Sequence, residues 1–386
     1  MRAVHHVVSV VGTRPNFMKT APVIAALSQR PIRHTLVHTG QHYDQAMSRV
    51  FIEELGIGQP NHVLDVGSGP HGAQTARVMQ RLEPVLEAES PDIVLVAGDV
   101  NSTMAAALVA AKLSIAVGHI ESGLRSFDRS MPEEVNRIVT DQVSNLLFTH
   151  SPEAPDNLIR EGCAVERIRP VGNTMIDTLI AMQPRIRDLD VATDHGLVRG
   201  DYLLVTLHRP ALVDGPLLAD ALAALSRVAG DIEVVFPMHP RTANAIVRQG
   251  LRRPNGIRIL EPLGYMEFLS LLESAAAVLT DSGGIQEEST HLGIPCFTLR
   301  DNTERPVTCE LGTNTLLGLA PGRIVEVPEL LDTVRRRPTT PLPGWDGAAS
   351  HRLVEALERG VPDWEEVLPP PRDFGAQTHR RPRSAA

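Results

Sequence analysis

The sequence has few cysteines, few aromatic residues and no long apolar run. Its cysteines, Cys163, Cys296 and Cys309, are too widely spaced for a disulfide framework or a paired metal motif, which favours a reducing, cytoplasmic environment. Aromatic residues make up only 3% of the chain, too few for a stacking surface along single-stranded nucleic acid. Apolar runs stay below the roughly 18 residues that suggest a membrane span. We therefore expect a protein that binds neither nucleic acid nor membranes.

Positive charge is also in deficit. The chain has 37 lysine and arginine residues against 46 aspartate and glutamate residues, a net charge of −9 with neutral histidines. Because a nucleic-acid scaffold needs a basic face, an anionic ligand must be held here by a local cluster of cations. The apolar opening of the chain runs into Gly12 and Pro15 without a small-residue cleavage site. It therefore predicts a first buried strand and not a signal peptide.

Hydrophobic residues make up 42% of the 386 positions, enough for a sizeable core, and the length favours two domains. Short β-branched runs alternate with longer segments of helical period, which is typical of βα units around parallel sheets. The fold class predicted is α/β, with two doubly wound sheets. The predicted strands fall into two series, the first at 6–11, 35–38, 93–96 and 115–119, the second at 202–207, 233–236, 276–280 and 295–299.

The charged stretch 183–200 contains Pro184 and two glycines and has little apolar periodicity, which suits an interdomain connection. Residues 353–357 have helical spacing and predict a terminal helix that packs elsewhere. The end of the chain is rich in proline and arginine, which predicts disorder. The expected organisation is an N-terminal domain over 1–179 joined by a C-terminal helix over about 350–368, a second domain over 180–349, and a disordered tail over 369–386.

The first predicted strand ends in GTRPNFMK, residues 12–19. Such a turn places backbone N–H groups, Arg14 and Lys19 where an anion can bind at the mouth of the sheet. The motif is neither GxGxxG nor a P-loop, because Gly12 stands alone and no GK[ST] follows. Since a tight turn with a solvated arginine explains the same residues, this motif alone identifies no ligand.

Acidic residues follow the next strands of the first series. Asp99 ends DIVLVAGD, Glu121 ends IAVGHIE, and Glu133 lies in MPEEVNR. The carboxyl ends of parallel strands meet at one edge, where ligands bind. Taken singly, Asp99 is a helix cap, and Glu133 with Arg137 is an exposed ion pair four residues apart. Together they predict a cleft in which carboxylates move protons at two faces of a substrate.

The second series carries a different set of groups. His208 and His239 each follow a predicted strand, where histidine can bind phosphate or move a proton near neutral pH, although isolated histidines are more often structural. The strongest local pattern is DSGGIQEE at 281–288. Two glycines let the backbone approach a ligand, the helix N-terminus favours a diphosphate, and Glu288 can accept both hydroxyls of a ribose. The charged pair in TERP, 303–306, adds little by itself.

These motifs stand in a fixed order, and with them the chain resembles the non-hydrolysing UDP-N-acetylglucosamine 2-epimerases over about residues 8–318. The resemblance implies the GT-B architecture, two Rossmann-like domains with the nucleotide sugar in a deep cleft between them. It also implies a homodimeric isomerase of polysaccharide biosynthesis that needs no cofactor and no metal. The motifs that carry the resemblance are GTRPNFMK, GQH, GD, HIESGLR, MPEEVNR, GNTMID, LHR, DSGGIQEE and RDNTERP.

The resemblance also implies a reaction, the inversion of C2 of UDP-GlcNAc to give UDP-ManNAc. A base removes the C2 proton while UDP leaves C1, and UDP adds back to the bound 2-acetamidoglucal with protonation on the other face. Catalysis then falls to Asp99, Glu121, Glu133 and His208, with the individual proton steps left unassigned. UDP and sugar binding fall to Arg14, Lys19, Arg137, Ser282, Gly283, Gly284 and Glu288.

One segment departs from the family pattern. Many bacterial members have HRRE where this chain has HRPA at 208–211, and there the second arginine and the glutamate help to hold an activating UDP-GlcNAc. Gln41 and His239 match other effector contacts and are candidate remnants of that site. Because the charged fork and its carboxylate are the strongest contacts, we expect activation by substrate to be weak or absent.

Four other functions fit part of the pattern. A 2-epimerase of another UDP-2-acetamido sugar, such as a diacetamido uronate, would keep all the motifs for UDP. A hydrolysing epimerase would release free ManNAc and UDP. A GT-B glycosyltransferase or a nucleotide-sugar binding protein would share the architecture, but neither has an obvious use for three neighbouring carboxylates.

Overall fold

The computed structural model describes residues 1–41, 54–252, 254–335 and 342–362. In the first half, buried strands such as HVVSVV alternate with helices, because a strand that is apolar on both faces needs helices on both sides of its sheet. The elements of this half are β1 (His6–Val11), α1 (Arg14–Leu27), β2 (Arg33–His38), β3 (His62–Val63), α2 (His71–Glu89), β4 (Ile93–Ala97), α3 (Asn101–Lys112), β5 (Ala116–Ile120), α4 (Pro132–Val143), β6 (Leu146–Thr149), α5 (Ala154–Arg160) and β7 (Ile168–Pro170).

The strands of this half form one seven-stranded sheet in the order β3-β2-β1-β4-β5-β6-β7. Every pairing is parallel. β1 pairs with β2 on one side and with β4 on the other, so the winding direction reverses between β1 and β4. The carboxyl ends of these two strands therefore form the crevice in which doubly wound sheets bind ligands.

The second half repeats this arrangement with a six-stranded sheet. Its elements are α6 (Thr174–Leu189), α7 (Val191–Asp194), β8 (Tyr202–Thr206), α8 (Pro210–Val213), α9 (Leu217–Val228), β9 (Glu233–Pro237), α10 (Pro240–Arg248), β10 (Ile257–Leu260), α11 (Tyr265–Ser274), β11 (Ala277–Thr280), α12 (Gly283–Leu292), β12 (Cys296–Thr298), α13 (Val307–Glu310), β13 (Asn314–Leu316), α14 (Val327–Arg335) and α15 (Ala349–Glu358). The strand order is β10-β9-β8-β11-β12-β13, so the winding reverses between β8 and β11. The predicted α/β class with two doubly wound sheets is confirmed.

Helix α6 carries the chain from one sheet to the other. Its residue Leu179 lies in one buried cluster with Phe17 of α1 and Tyr202 of β8. The helix continues through Pro184 to Leu189. The predicted boundary near residue 180 therefore falls inside a continuous helix, and the two halves share a packed core at this point.

Helix α15 returns to the first sheet. Its residue Leu353 lies in a buried cluster with Val7 of β1 and Ile93 of β4. Just beyond the helix, Val361 and Arg2 form an antiparallel bridge. The end of the described chain is thus fixed against the beginning of the first half.

This terminal helix is shorter than the predicted 350–368. It ends at Glu358, and Gly360 adopts a φ of 95°, which ends a right-handed helix. A side chain at Gly360 would also lie 2.8 Å from the Arg2 carbonyl oxygen. Residues beyond 362, which include the predicted tail 369–386, lie outside the described part of the chain.

All eight predicted strands are present, with ends that differ by at most two residues. The sequence missed β3, β6, β7, β10 and β13, which are two to four residues long. Runs this short carry too few residues for a periodic pattern. Among the described helices, none is both long and apolar enough to cross a bilayer.

Candidate active site

A cavity of about 440 Å³ lies between the two halves, and residues that follow β1, β4, β8 and β11 contribute to its wall. The cavity thus joins the two crevices that the strand orders create. The sequence-predicted residues that line it are Arg14, Lys19, Asp99, Glu133, His208, His239, Ser282, Gly283, Gly284 and Glu288. The sequence-predicted residues outside this lining are Gln41, Glu121 and Arg137.

Glu121 lies just behind the cavity wall. It follows β5 with a φ of 68°, a left-handed conformation that is costly for a residue with a side chain. Its carboxylate is 4% exposed and contacts one cation on each oxygen, Lys19 Nζ at 2.6 Å and Arg305 Nη2 at 2.9 Å. Both cations line the cavity. The Glu121 carboxylate therefore contacts residues of the cavity wall but does not line the cavity itself.

Asp99 and Glu133 lie on the cavity itself. Nη2 of Arg137 donates to Asp99 Oδ2 at 2.5 Å, and Nη1 donates to Glu134 Oε2 at 2.7 Å. The expected helical pair of Arg137 with Glu133 is therefore replaced by a pair with the neighbouring, buried Glu134. Helix α4 turns Glu134 inward, and this leaves the carboxylate of Glu133 facing the cavity.

Lys19 and Arg137 each form an ion pair within the site. Both were expected beside the phosphates and the sugar, and each pairs with a candidate catalytic carboxylate, Lys19 with Glu121 and Arg137 with Asp99. Arg137 is only 3% exposed on its side chain. In this arrangement these two cations hold the acidic groups in place.

Arg305 is the centre of a buried ionic cluster that the sequence did not predict. Besides its contact with Glu121, its Nε lies 3.0 Å from Glu287 Oε1, and its Nη1 donates to Glu304. Burial disfavours the charged carboxylates, but Arg305 and neighbouring cations outweigh it and hold the pKa of Glu304 well below its ordinary value. The pKa of Glu287 is lowered in the same way, against burial, by Arg305 and His150. Both carboxyl groups are therefore ionised at neutral pH.

The same cluster connects the two halves of the chain. His150, which follows β6, has Nε2 2.7 Å from Glu287 Oε1. Asn173 donates to the same oxygen at 3.2 Å. Trp345 donates from its indole N–H to the His150 carbonyl oxygen at 3.0 Å. Glu287 thus binds side chains of the first half while it also contacts Arg305 of the second.

Three members of this region have the chemistry of metal ligands. One ligand atom each from Glu121, His150 and Glu287 lies within 4.8 Å of the others. However, Lys19 and Arg305 contact these same carboxylates. Since Lys19 and Arg305 already balance the charge of these two carboxylates, this group of residues forms an ion-pair network in the structure.

His208 follows β8 and lies half-exposed on the cavity. Its Nδ1 is 3.0 Å from Asp281 Oδ1, and its backbone N–H donates to Asp281 Oδ2 at 2.8 Å. Burial opposes ionisation of Asp281, but these bonds and the Arg209 N–H outweigh it and lower the pKa of Asp281. The carboxylate therefore fixes the orientation of the imidazole, whose ring centroid lies 5.5 Å from that of His239.

The turn between β11 and α12 brings the backbone close to the charged cluster. A Cβ atom on Gly283 would lie 2.6 Å from Arg305 Nη1 and 2.7 Å from Glu304 Oε1, so only glycine fits without displacement. Further along the helix, Glu288 accepts a hydrogen bond from Tyr265 Oη at 2.6 Å. Burial raises the pKa of Glu288 to about 8, although the Tyr265 bond acts in the opposite direction.

The turn after β1 differs from the expected anion site. The backbone N–H groups of Gly12 and Thr13 both donate to Asn16 Oδ1 at 3.0 Å. These donors are therefore already used within the turn, because Asn16 caps the start of α1. Arg14 and Lys19 of this motif both line the cavity, and Lys19 is paired with Glu121.

A second buried cluster, formed by His119 and Asp141, lies beside the turns that carry Asp99 and Glu121. His119 has Nδ1 2.6 Å from Asp141 Oδ1 and Nε2 2.8 Å from the Gly98 carbonyl oxygen. Asp141 also accepts the Gly123 N–H at 3.1 Å and an Arg125 N–H at 2.7 Å. The turns that carry Asp99 and Glu121 are thus fixed to one another through a side chain on α4.

The two candidate effector residues lie apart. Gln41 is buried and accepts a hydrogen bond from Ser102 Oγ at 2.7 Å. His239 lines the cavity, and its Nδ1 accepts the Arg241 N–H at the start of α10. Pro210 and Ala211, which replace the charged pair of other members, are exposed at the start of α8.

Sequence analysis missed His150, Glu134, Glu287 and the role of Arg305 in this site. His150 stands at the carboxyl end of β6, so the rule that identified Asp99 would have found it had that short strand been predicted. Glu287 adjoins Glu288 in DSGGIQEE, and Arg305 lies in a motif that was noted without an assignment. No local pattern shows that His150, Glu287 and Arg305 meet, because their contacts join separate elements.

Comparison with known proteins identifies the family of the chain. A family model described as UDP-N-acetylglucosamine 2-epimerase matches residues 25–358. The UDP-N-acetylglucosamine 2-epimerase of Methanocaldococcus jannaschii is 40% identical over 367 residues, covering 91% of this chain and 98% of that protein. The UDP-2,3-diacetamido-2,3-dideoxy-D-glucuronate 2-epimerase of Pseudomonas aeruginosa is 42% identical over 328 residues, covering 83% and 90%.

A solved structure gives the same result for the fold. The crystal structure of the M. jannaschii UDP-GlcNAc 2-epimerase in complex with UDP-GlcNAc and UDP matches with a TM-score of 0.84 and 39% identity, covering 92% of this chain and 100% of that one. The two sheets and the cleft between them thus have the GT-B arrangement that the sequence predicted. Since the family match and these identities extend over most of its length, the chain belongs to the UDP-N-acetylglucosamine 2-epimerase family.

Proposed function

We propose that the protein is a UDP-N-acetylglucosamine 2-epimerase that interconverts UDP-GlcNAc and UDP-ManNAc. The observation that carries this proposal is that Asp99 and Glu133 line the same cavity as the N-terminus of α12. Binding of an anionic nucleotide alone gains nothing from carboxylates in its site. Proton transfer at a sugar carbon does require such groups, because that carbon does not release its proton unaided.

In this proposal, UDP binds mainly to the second half of the chain. The diphosphate lies at Ser282, Gly283 and Gly284, because the first N–H groups of a helix have no intrahelical partner and attract anions. Arg14 adds a positive charge from the opposite wall, and Glu288 binds the ribose hydroxyls. The complex of the M. jannaschii relative with UDP-GlcNAc and UDP supports a UDP-sugar as the ligand.

The reaction proceeds by elimination and re-addition. A carboxylate removes the C2 proton as the bond from C1 to UDP breaks, and UDP then adds to 2-acetamidoglucal while a proton reaches the opposite face of C2. Asp99, Glu121 and Glu133 are the acid–base groups, and His208 acts beside the diphosphate. The helix dipole of α12 and Arg14 stabilise the departing UDP, and the cleft keeps water from the glucal.

Conversion in heavy water tests this proposal. Purified protein is incubated with UDP-GlcNAc in D₂O, and the anomeric and C2 signals are followed by NMR. We expect UDP-ManNAc with deuterium at C2. Product without deuterium at C2 refutes the elimination. Accumulation of UDP with free ManNAc identifies a hydrolysing enzyme, and tight binding without any conversion identifies a binding protein.

A second substrate is favoured by one observation. The P. aeruginosa relative, which is named for a diacetamido glucuronate, is as similar in sequence as the archaeal relative. A UDP-diacetamido uronate adds a carboxylate and a second amide to the sugar while the nucleotide stays the same. Parallel kcat/KM measurements with the two UDP-sugars decide between them, and a higher value for the uronate makes it the substrate.

We further propose that activation by UDP-GlcNAc is weak or absent. The exposed Pro210 and Ala211 offer neither the charged fork nor the carboxylate that hold the effector in other members. Initial rates should depend hyperbolically on UDP-GlcNAc. In the reverse direction, a lag or a strong requirement for added UDP-GlcNAc would contradict this proposal.

We also propose the domain division expected from the sequence, in which residues 1–179 and the returning helix form one domain and residues 180–349 form the other. The same proposal includes a homodimer, a cytoplasmic location and a role in polysaccharide biosynthesis. The free cysteines Cys163, Cys296 and Cys309 support a reducing compartment. Light scattering coupled to size-exclusion chromatography tests the dimer, and a mass of 41.9 kDa, that of one chain, would exclude it.

A further inference from the structure

Arg305 belongs to the second half of the chain but contacts a carboxylate of the first. Glu287 and Glu304, both from its own half, face its Nε and Nη1. The hydrogen bond from Nη1 to Glu304 and the charge of Glu287 beside Nε hold the guanidinium within its own half. The remaining nitrogen, Nη2, is thereby directed across the cleft to Glu121 Oε1 at 2.9 Å.

Glu121 is held in an unfavourable conformation. Its φ of 68° persists only where surrounding contacts stabilise it. The backbone N–H groups of Glu121 and Ser122 both donate to the Phe148 carbonyl oxygen at 3.1 Å. The side chain is fixed by Lys19 from its own half and by Arg305 from the other.

We propose that Arg305 is a positioning residue that orients Glu121 for proton transfer only while the two halves are closed over the cleft. This inference rests on the proposed function, in which Glu121 moves a proton at C2. When the halves separate, Arg305 leaves with Glu287 and Glu304, and Glu121 retains a single cation, Lys19. Proton transfer is thus confined to the closed cleft, where UDP and the glucal cannot escape.

The test compares Arg305→Lys and Arg305→Gln with a matched control, Arg187→Gln. Arg187 is 61% exposed on its side chain, pairs with Glu273 at 2.8 Å and is not among the residues that line the cavity. Three experiments are done on each protein. Turnover assays give kcat, KM and C2 deuterium incorporation, calorimetry gives the Kd of UDP, and hydrogen exchange follows the amides of residues 121–124 in the UDP-saturated protein.

We expect both Arg305 variants to lower kcat and C2 deuterium incorporation about 100-fold, because a small misplacement of an acid–base group has this effect. The Kd of UDP should stay within about threefold of the wild-type value, since the lost contact is to Glu121 and not to the nucleotide. Amide exchange at Glu121 and Ser122 should become about tenfold faster as local order is lost. Arg187→Gln should match the wild type in all three measurements.

Two results would overturn the inference. The first is a Kd of UDP that rises more than about tenfold while kcat is retained, which would make Arg305 a ligand of the diphosphate. The second is unchanged kcat with unchanged amide exchange. Because Arg305→Gln removes one cation from each of three buried carboxylates, Arg305→Lys carries the test if the glutamine variant does not fold.

Failure of the proposed function has a different signature. In that case the wild-type protein itself incorporates no deuterium at C2. The hydrogen-exchange measurement does not depend on turnover, so it still tests whether Arg305 holds Glu121 in place. Faster exchange in Arg305→Lys then supports the positioning of Glu121 by Arg305, and unchanged exchange rejects it.

Discussion

Glu133 and Glu134 are adjacent in sequence but lie in opposite environments. Glu134 is 1% exposed and accepts the backbone N–H groups of Ser126 and Phe127, while Glu133 lines the cavity. Phe127 has a φ of 58°, so the Glu134 carboxylate stabilises a strained turn. One glutamate is therefore structural, and the other is available for chemistry.

Glu134→Gln should destabilise the protein and Glu133→Gln should not. Loss of the Glu134 charge leaves the buried Arg137 with one carboxylate fewer and weakens the turn, at a cost of about 3 kcal/mol. Glu133→Gln should keep the free energy of unfolding within about 0.5 kcal/mol and lower kcat instead. Urea denaturation and turnover of the two variants check this. Equal stability of Glu134→Gln and wild type would contradict it.

Replacing the candidate catalytic carboxylates should lower turnover much more than it weakens nucleotide binding. Asp99→Asn and Glu121→Gln keep the size of the side chain but remove the proton-transfer group, so kcat should fall by about 100-fold or more. The Kd of UDP should change little. Arg14→Ala is the contrasting variant and should mainly weaken UDP binding, because it removes a positive charge beside the anion. Unchanged rates in Asp99→Asn, Glu121→Gln and Glu133→Gln would refute the site assignment.

Gly283 and Gly284 should respond differently to alanine. A Cβ at position 283 would lie 2.6 Å from Arg305 Nη1, whereas at position 284 the nearest atom, Met175 Sδ, is 3.8 Å away. Gly283→Ala should therefore lower stability by about 1–3 kcal/mol through overpacking. Gly284→Ala should be neutral or slightly stabilising, because alanine favours a helix. Thermal denaturation of both variants gives the answer, and equal melting temperatures would argue against the close approach.

Glu288 should make stability depend on pH. Its folded pKa of about 8 exceeds its ordinary value of 4.5, because burial disfavours the charge. The stability associated with this group is therefore complete below pH 4.5 and is lost as the pH rises through about 8. The free energy of unfolding of Glu288→Gln, minus that of the wild type, should increase across this range. A difference that does not vary with pH would show that Glu288 ionises normally.

Tyr265→Phe offers a companion measurement. The phenol donates to Glu288 Oε1, and this bond lowers the pKa of the carboxyl group in opposition to burial. Without that donor the pKa of Glu288 should rise further, so the loss of stability, which begins near pH 4.5 in both proteins, should continue to higher pH than in the wild type. A loss of stability that ends at lower pH than in the wild type would contradict this.

Local chemistry explains what the sequence predicted well. Strand and helix periodicity identified both sheets, and the parallel strand rule brought Asp99, Glu133 and His208 to one cleft. Each of these inferences needs only residues near one another in sequence. The short strands at 62–63 and 146–149 carried too little pattern, so the sequence could not place His150 at the same edge.

The sequence by itself determined the α/β class, the two sheets and the groups that follow their strands, because periodicity and turn chemistry are local properties of the chain. Only the tertiary structure decided which charges meet. Arg305 and Glu121 are 184 positions apart, and His150 and Glu287 are 137 apart. Such pairs form because each half buries a carboxylate against a side chain of the other half. A buried charge is stable only where packing supplies its partner.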